Sequence, residues 1–327
     1  MPLQVGVIGA GISGLTLALR LREAGHSPLV LDKGRGVGGR AATRRGDGAS
    51  FDHGAQYYTA RSPGFRAFLD AYVPADRRAA WAGRFASLEG GRLGPETRDE
   101  ARFVGVPGMS AIARALAATV EVRSGVKVVG LAGSPGRWEL VDEAGASHGP
   151  FDWVVAAAPP AQAAALLGGR TPIAVEAAGV AMRPCFALMV VPPDGVAFPA
   201  DGIRCKHPVL GWAANDHSKP GRGPAPALVI QSNHDWAEAH RDDDHPSIAR
   251  DLRAAAGEAF GIDLGTVASE SVHRWLHAKP VEPLGRPCLV DPSARLAASG
   301  DWCVAAKVEG AFQSGDACAS EILAESA

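Results

Sequence analysis

The stretch QVGVIGAGISG, residues 4–14, decides the fold. Gln4–Ile8 is a short apolar run of the kind that forms a buried strand. Glycines follow at Gly9, Gly11 and Gly14, interleaved with Ala10, Ile12 and Ser13. An amphipathic stretch, Leu15–Ala24, then runs to Gly25, and Pro28–Leu31 reads as a second strand closed by Asp32. Together these make a strand–turn–helix–strand unit of about 30 residues. The first glycine permits a tight turn, the second lets backbone N–H groups approach a pyrophosphate, and the third lets helix and strand pack closely. The helix N-terminus favours a phosphate. Asp32 stands about 18 residues beyond Gly14, where an acid binds a ribose hydroxyl. The spacing predicts a dinucleotide site without separating flavin from nicotinamide.

Two further segments extend the reading. A second glycine cluster, Gly36-Val37-Gly38-Gly39-Arg40, lies just after Asp32 and Lys33. In a flavin site such glycines let the backbone pass close to the cofactor, and Arg40 is placed to meet a phosphate or flank the ring. Near the other end, Leu296–Ser299 leads into Gly300-Asp301-Trp302, and a helix opens at Glu309-Gly310-Ala311 and runs to about Ala324. Asp301, following a strand, suits a ribityl chain. A helix starting near Gly310 would aim its positive end at the edge of a flavin that gains negative charge on reduction.

Between these ends the grammar changes. Gly108–Ala118 reads as a helix, Glu121–Ser124, Lys127–Leu131 and Trp138–Val141 as strands of a small meander, and Asp152–Ala157 as a buried strand ended by Pro159 and Pro160. From about Ala163, Val180–Val191, Val209–Trp212, Ala227–Ser232 and Val267–Trp275 look like strands, interrupted by one helix, Pro246–Ala259. This predicts an α/β protein: a Rossmann-type FAD-binding domain from residues 1–70, 101–162 and 285–327, and a substrate domain from 71–100 and 163–284, built on an antiparallel sheet plus helices.

Composition limits the function. A formal net charge of -2 over 327 residues leaves no broad basic field for nucleic acid or an anionic membrane. No apolar run reaches the roughly 20 residues a membrane span needs, and the N-terminus lacks a basic leader, so a cytoplasmic protein is expected. Five scattered cysteines suit reduced thiols better than a disulfide framework. His234, His240 and His245 lie beside acids, yet their spacing fits no standard ligand motif, and no metal is expected.

Several segments carry a more specific likeness: DKGRGVGGRAATRR (Asp32–Arg45), FDHGAQYYTAR (Phe51–Arg61), FVGVPGMSAIARAL (Phe103–Leu116), HRWLHAKP (His273–Pro280) and GDWCVAAKVEGAFQSG (Gly300–Gly315). Through them the chain resembles the renalase family, particularly its bacterial members, within the glutathione-reductase and amine-oxidase type of flavoproteins. His277 departs from that pattern, where relatives carry tyrosine. The resemblance implies an FAD oxidase of the 2- or 6-dihydro isomers of NAD(P)H, with molecular oxygen as acceptor and hydrogen peroxide as product. It implies a cofactor site that also takes in Gly54, Ala55, Gln56 and Val126. Gln56 and Tyr57 are placed to border the flavin ring, and Trp212 and Trp275 to form an aromatic wall. Arg274, Lys279 and Lys219 are candidates for a substrate pyrophosphate, Lys279 also for a lysine near flavin N5. An amine oxidase or a desaturase is the alternative enzyme, and a non-catalytic flavin binder the alternative class.

Overall fold

The computed structural model describes residues 1–46, 48–97 and 100–326. Its organising element is a six-stranded sheet in the order Leu289–Asp291, Leu296–Ala298, Trp153–Ala156, Gln4–Ile8, Ser27–Asp32 and Glu121–Ser124. All neighbours are parallel except the first pair. A parallel sheet is covered on both faces and its strands are apolar throughout. Val5, Val7, Val154, Val155, Leu296 and Ala297 are accordingly fully buried. One face packs on the helix Ile12–Glu23, which in turn packs on the C-terminal helix Val308–Ala324. The other face carries a three-stranded meander, Val128–Ser134, Arg137–Asp142 and Ser147–Phe151.

A second sheet has seven strands, in the order Ser269–Pro280, Met182–Val191, Leu228–Ser232, Leu210–Asn215, Gly202–Lys206, Phe85–Glu89 and Arg92–Pro95. It is antiparallel apart from the parallel pairing of Gly202–Lys206 with Phe85–Glu89. One face buries Phe186, Leu188, Ile203, Ala213 and Ile230 against the helix His245–Phe260. That helix starts on an Asp244 cap, whose carboxylate accepts the Ser247 N–H at 2.8 Å, and stops at Gly261 in the left-handed region. The opposite face looks toward the first sheet and bears Arg204, Trp212, Gln231, His273 and Trp275. The cross-strand register Arg204–Trp212–Gln231–Ala187–His273 puts them on one side.

Three expectations change here. Glu121–Ser124 is not part of the meander but the parallel edge of the first sheet, with Leu29 opposite Glu121. Residues 163–178, expected with the substrate unit, place Ala163, Leu167, Ile173 and Ala177 in the same apolar cluster as Val154 and Leu296. Of the described residues within 71–100, only Phe85–Pro95 enters the seven-stranded sheet; Val73 and Trp81 lie in the apolar cluster of Val5 and Leu15, which Trp212 and Ala214 of the second sheet also join. In both cases short apolar segments followed the nearer core, which periodicity alone does not reveal. Among the described residues no helix is long and apolar enough to cross a membrane.

Candidate functional site

In an open parallel sheet a ligand sits beyond the carboxyl ends of the strands. Here five such ends line one edge: Ile8 leads to Gly9, Leu31 to Asp32, Ser124 to Val126, Ala156 to Ala157 and Ala298 to Ser299 and Gly300. Gly9 has φ 113° and turns directly against the Ala157 carbonyl, which leaves no space for a side chain. Gly14 sits against the Gly9 carbonyl, so the helix Ile12–Glu23 approaches the strand closely. Gly11 differs from both: the position its Cβ would take is open. It caps a 12-residue helix that has no side-chain cap, so the first-turn N–H groups around Ile12 and Ser13 face that opening. This is a fit for a pyrophosphate.

The second glycine cluster closes over the first. Gly38 donates to the Ala10 carbonyl at 2.8 Å, and Gly39 packs on Gly11. Asp32 accepts from the backbone of Ala10 and of Gly34, both at 2.6 Å. Its carboxylate thus shapes the loop, and the remaining lone pairs are the ones left for a ribose. Val126 donates to the Asp32 carbonyl at 2.9 Å and sits at the same edge, while Lys33 reaches Gln162 at 3.2 Å.

Arg40 and Asp301, 261 positions apart, form a two-pronged pair at 2.5 and 3.1 Å. Burial raises the Asp301 carboxyl above its ordinary range, and Arg40 works against that shift. Arg40, expected to meet a phosphate or flank the ring, thus pairs with the acid expected to hold the ribityl chain. Gly300 donates to Ser314 at 2.9 Å, and Ser13 donates to Ser299 at 3.0 Å.

The Glu309 side chain at the opening of the C-terminal helix points to the chain around Arg61. Its carboxylate accepts the N–H groups of Arg61 and Ser62 at 3.0 and 2.7 Å. Burial alone would raise its pKa; these hydrogen bonds outweigh it and hold the acid below its usual value. What remains toward the cleft is the backbone end of the helix, where Gly310 packs on the Ala305 carbonyl and Ala311 makes the first intrahelical bond, to Lys307, at 3.0 Å.

The run Asp52–Tyr57 crosses between the sheets. Ala55 donates to the Arg40 carbonyl at 2.8 Å, and Gly54 accepts from Gln231 at 2.7 Å. Gln56 was expected to border a ring, but both ends of its amide are occupied, by the Asp52 carbonyl and by Lys219 Nζ at 3.2 Å. Lys219 lies wholly buried between Asp52 at 3.2 Å and Asp216 at 2.5 Å, and Arg222 pairs with Asp52 as well. Two carboxylates and two cations so compensate one another in the interior. Asp216 is pushed up to about 6 by burial, with Lys219 opposing, whereas Lys219 and Arg222 draw Asp52 down despite its burial.

Trp212 and Trp275 do share a sheet face, but they do not form one wall. Three inter-strand steps of about 4.8 Å separate them by roughly 14 Å. Trp212 joins Tyr57, with ring centroids 5.6 Å apart, and Tyr57 lies 6.4 Å from Trp81. Trp275 stacks on His53 at 5.1 Å, meets His273 edge-on at 4.1 Å and donates to the His53 carbonyl at 2.8 Å. Burial lowers both histidines to about 4, so this second cluster is uncharged at neutral pH. His277 is likewise lowered by burial, then by Arg241 and Arg40.

Two of the three expected pyrophosphate partners are engaged elsewhere. Lys219 is consumed by carboxylates. Arg274 reaches the Asp243 carbonyl and covers Phe186, on the helix side of the sheet. Lys279 is exposed near the end of the strand Ser269–Pro280. The buried charges Asp52, Asp216 and Arg222 gave no local signal beyond polar runs. Asp52 and His53 sit inside the quoted FDHGAQYYTAR segment, and the apolar residues around them were the available clue.

Comparison with known proteins agrees with this geometry. Residues 7–72 match the NAD(P)-binding Rossmann-like domain. Over 52 residues the chain is 40% identical to 4,4'-diapophytoene desaturase (4,4'-diaponeurosporene-forming) of Staphylococcus aureus strain Newman, a stretch that is 16% of this chain and 10% of the desaturase. The fold is shared over 99% of this chain with a putative protoporphyrinogen oxidase from Exiguobacterium sp. 255-15 (99% of that chain, TM-score 0.80, 12% identity). It is also shared with reduced UDP-galactopyranose mutase (94% of that chain, TM-score 0.74, 12% identity) and with putrescine oxidase bound to putrescine (99% of that chain, TM-score 0.70, 14% identity), again over 99% of this chain. The fold is thus a Rossmann-type α/β architecture with a second, largely antiparallel sheet, common to these proteins.

Proposed function

We propose that the chain is an FAD-dependent oxidoreductase whose substrate is a 2- or 6-dihydro isomer of NAD(P)H. The observation that carries this reading is the placement of five strand ends along one edge of the parallel sheet, with the opening of the C-terminal helix and the aromatic face of the second sheet beside that edge. The FAD-binding unit is discontinuous, 1–70, 101–162 and 285–327, with the helices of 163–178 packed beneath it; 71–100 and the rest of 163–284 supply the substrate side.

Gly11 and the N–H groups of Ile12 and Ser13 hold the pyrophosphate, Asp32 a ribose and Val126 the adenine edge. Asp301, oriented by Arg40, would hold the ribityl chain. The backbone end of the helix at Glu309–Ala311 stabilises negative charge at the edge of the ring. Bound there, FAD would supply the hydride acceptor, with molecular oxygen as terminal oxidant and hydrogen peroxide as its product.

A dihydropyridine gains aromaticity as its C–H bond breaks and the hydride leaves, so this chain needs no strong general base. It needs to stack a planar ring and exclude water. Tyr57, backed by the buried Trp212 and Trp81, offers such a surface, and the neutral His53 and His273 with Trp275 close the other side. Gln56 keeps the Gly54–Ala55 backbone in position through Asp52 and Lys219.

Anaerobic mixing with borohydride-treated NAD, which contains the isomers, tests the reading. Rapid bleaching of the flavin by the isomers and not by ordinary NADH is expected. Bleaching by an amine alone would replace the reading with an amine oxidase, the alternative that the likeness to putrescine oxidase raises.

A further inference from the structure

The aromatic cluster at Tyr57 and Trp212 is bordered by charges that the scheme above leaves unused. Glu96 lies 3.4 Å from Arg102 and 3.4 Å from Arg204. Its side chain is 6% exposed, that of Arg102 5% and that of Arg204 33%. One buried carboxylate thus serves two guanidinium groups, so these three described side chains sum to a net positive charge. The Arg102 guanidinium covers Phe85 at 3.8 Å and Tyr57 at 5.2 Å; Arg204 lies 6.0 Å from the Trp212 ring and 3.4 Å from the Tyr57 hydroxyl.

Donors exceed acceptors here. Arg102 Nε and Trp212 Nε1 are both buried, and neither has an acceptor among the described residues. Buried donors without partners are costly, and burying a second arginine on one acid adds to that cost. A ligand that brings oxygen acceptors and negative charge relieves both. Guanidinium groups pair with phosphate through two parallel hydrogen bonds, which a lysine does not reproduce.

We infer that Arg102 and Arg204, spaced by Glu96, form the anchor for the pyrophosphate of the substrate, with the Trp212 indole as a further donor. The site selects against cationic substrates, because an amine would meet a surplus of positive charge. The inference rests on the dinucleotide reading of the substrate and deepens it. It also supplies the partner that Lys219 and Arg274 do not.

The test is calorimetric titration of ADP-ribose and of adenosine into FAD-loaded protein, with and without Arg204→Gln. Wild type should prefer ADP-ribose, and Arg204→Gln should reduce that preference at least tenfold. Arg204→Lys, which keeps the charge and loses the fork, should fall between them; it also serves if the glutamine variant is unstable. An unchanged preference in a folded variant, or no preference for ADP-ribose in wild type, overturns the anchor. Binding is read without turnover. Loss of isomer oxidation with the preference intact would therefore defeat the dinucleotide-oxidase reading alone.

Discussion

The hydroxyl of Ser13 donates a hydrogen bond to that of Ser299 at 3.0 Å, joining positions 286 apart. Ser13 belongs to the first helix of the chain and Ser299 to the turn after a strand near its end. The same Ser13 presents its carbonyl oxygen to Gly315 of the C-terminal helix, at a distance that leaves no room for a Cβ. The two ends of the polypeptide are therefore one structural unit, and the cleft they line depends on that close crossing.

Gly315→Ala tests the crossing. In an open helix the exchange would gain about 1 kcal/mol. Here the methyl meets backbone, and overpacking of this kind costs roughly 1–3 kcal/mol. The expected outcome is a lower thermal midpoint together with weaker FAD retention; a raised midpoint would show that the helices have room to move apart.

Arg40→Gln tests the pair that ties the glycine loop to the C-terminal segment. Removing one partner of a largely buried pair leaves Asp301 uncompensated, at a cost of roughly 3 kcal/mol. The sign with pH follows from burial, which already raises the Asp301 carboxyl. A group with a raised folded pKa stabilises below its ordinary value and loses that contribution as pH rises. The penalty in Arg40→Gln should therefore be largest at neutral pH and shrink toward pH 4, as followed by urea unfolding across that range. A penalty independent of pH would contradict it.

Asp216→Asn probes the buried group around Lys219. Burial pushes the Asp216 carboxyl up to about 6 from an ordinary 3.8. Its contribution to stability is complete below 3.8 and is lost as pH climbs through about 6. Asp52 is displaced downward, so its contribution has the opposite sign and disappears on acidification. In Asp216→Asn the loss between pH 4 and 6 should vanish, while the acid-side loss from Asp52 remains. Unfolding midpoints at several pH values that run parallel in the two proteins would show that Asp216 does not titrate there.

The legibility of this site follows the range of the forces that built it. Gly9, Gly11 and Gly14 could be read because each answers a backbone demand within a few residues: a positive φ, an open face, a close helix. Gly300 and Gly310 could be read for the same local reason. The side-chain partners of Glu309 and Gln56 were not legible, because Ser62 and Lys219 lie 247 and 163 positions away. Arg204 was the hardest. It depends on the parallel pairing of Gly202–Lys206 with Phe85–Glu89 and on Glu96 just beyond that strand pair. Its trace in the sequence is only the alternation of GIRCK, where Ile203 and Cys205 face the helix and Arg204 faces the cleft.

Gly11→Ala gives the most direct measurement of the central claim, that one cradle built from both chain ends holds FAD. Gly11 has φ -74° and ψ 174°, which alanine adopts freely, and the added methyl enters open space rather than protein. Absorbance at flavin wavelengths and the thermal midpoint are measured on reconstituted wild type and variant. The account predicts yellow wild type, and a variant that folds with an unchanged apo midpoint but binds FAD at least tenfold more weakly. A wild type that stays colourless after reconstitution, or a variant that retains FAD as tightly, would contradict it.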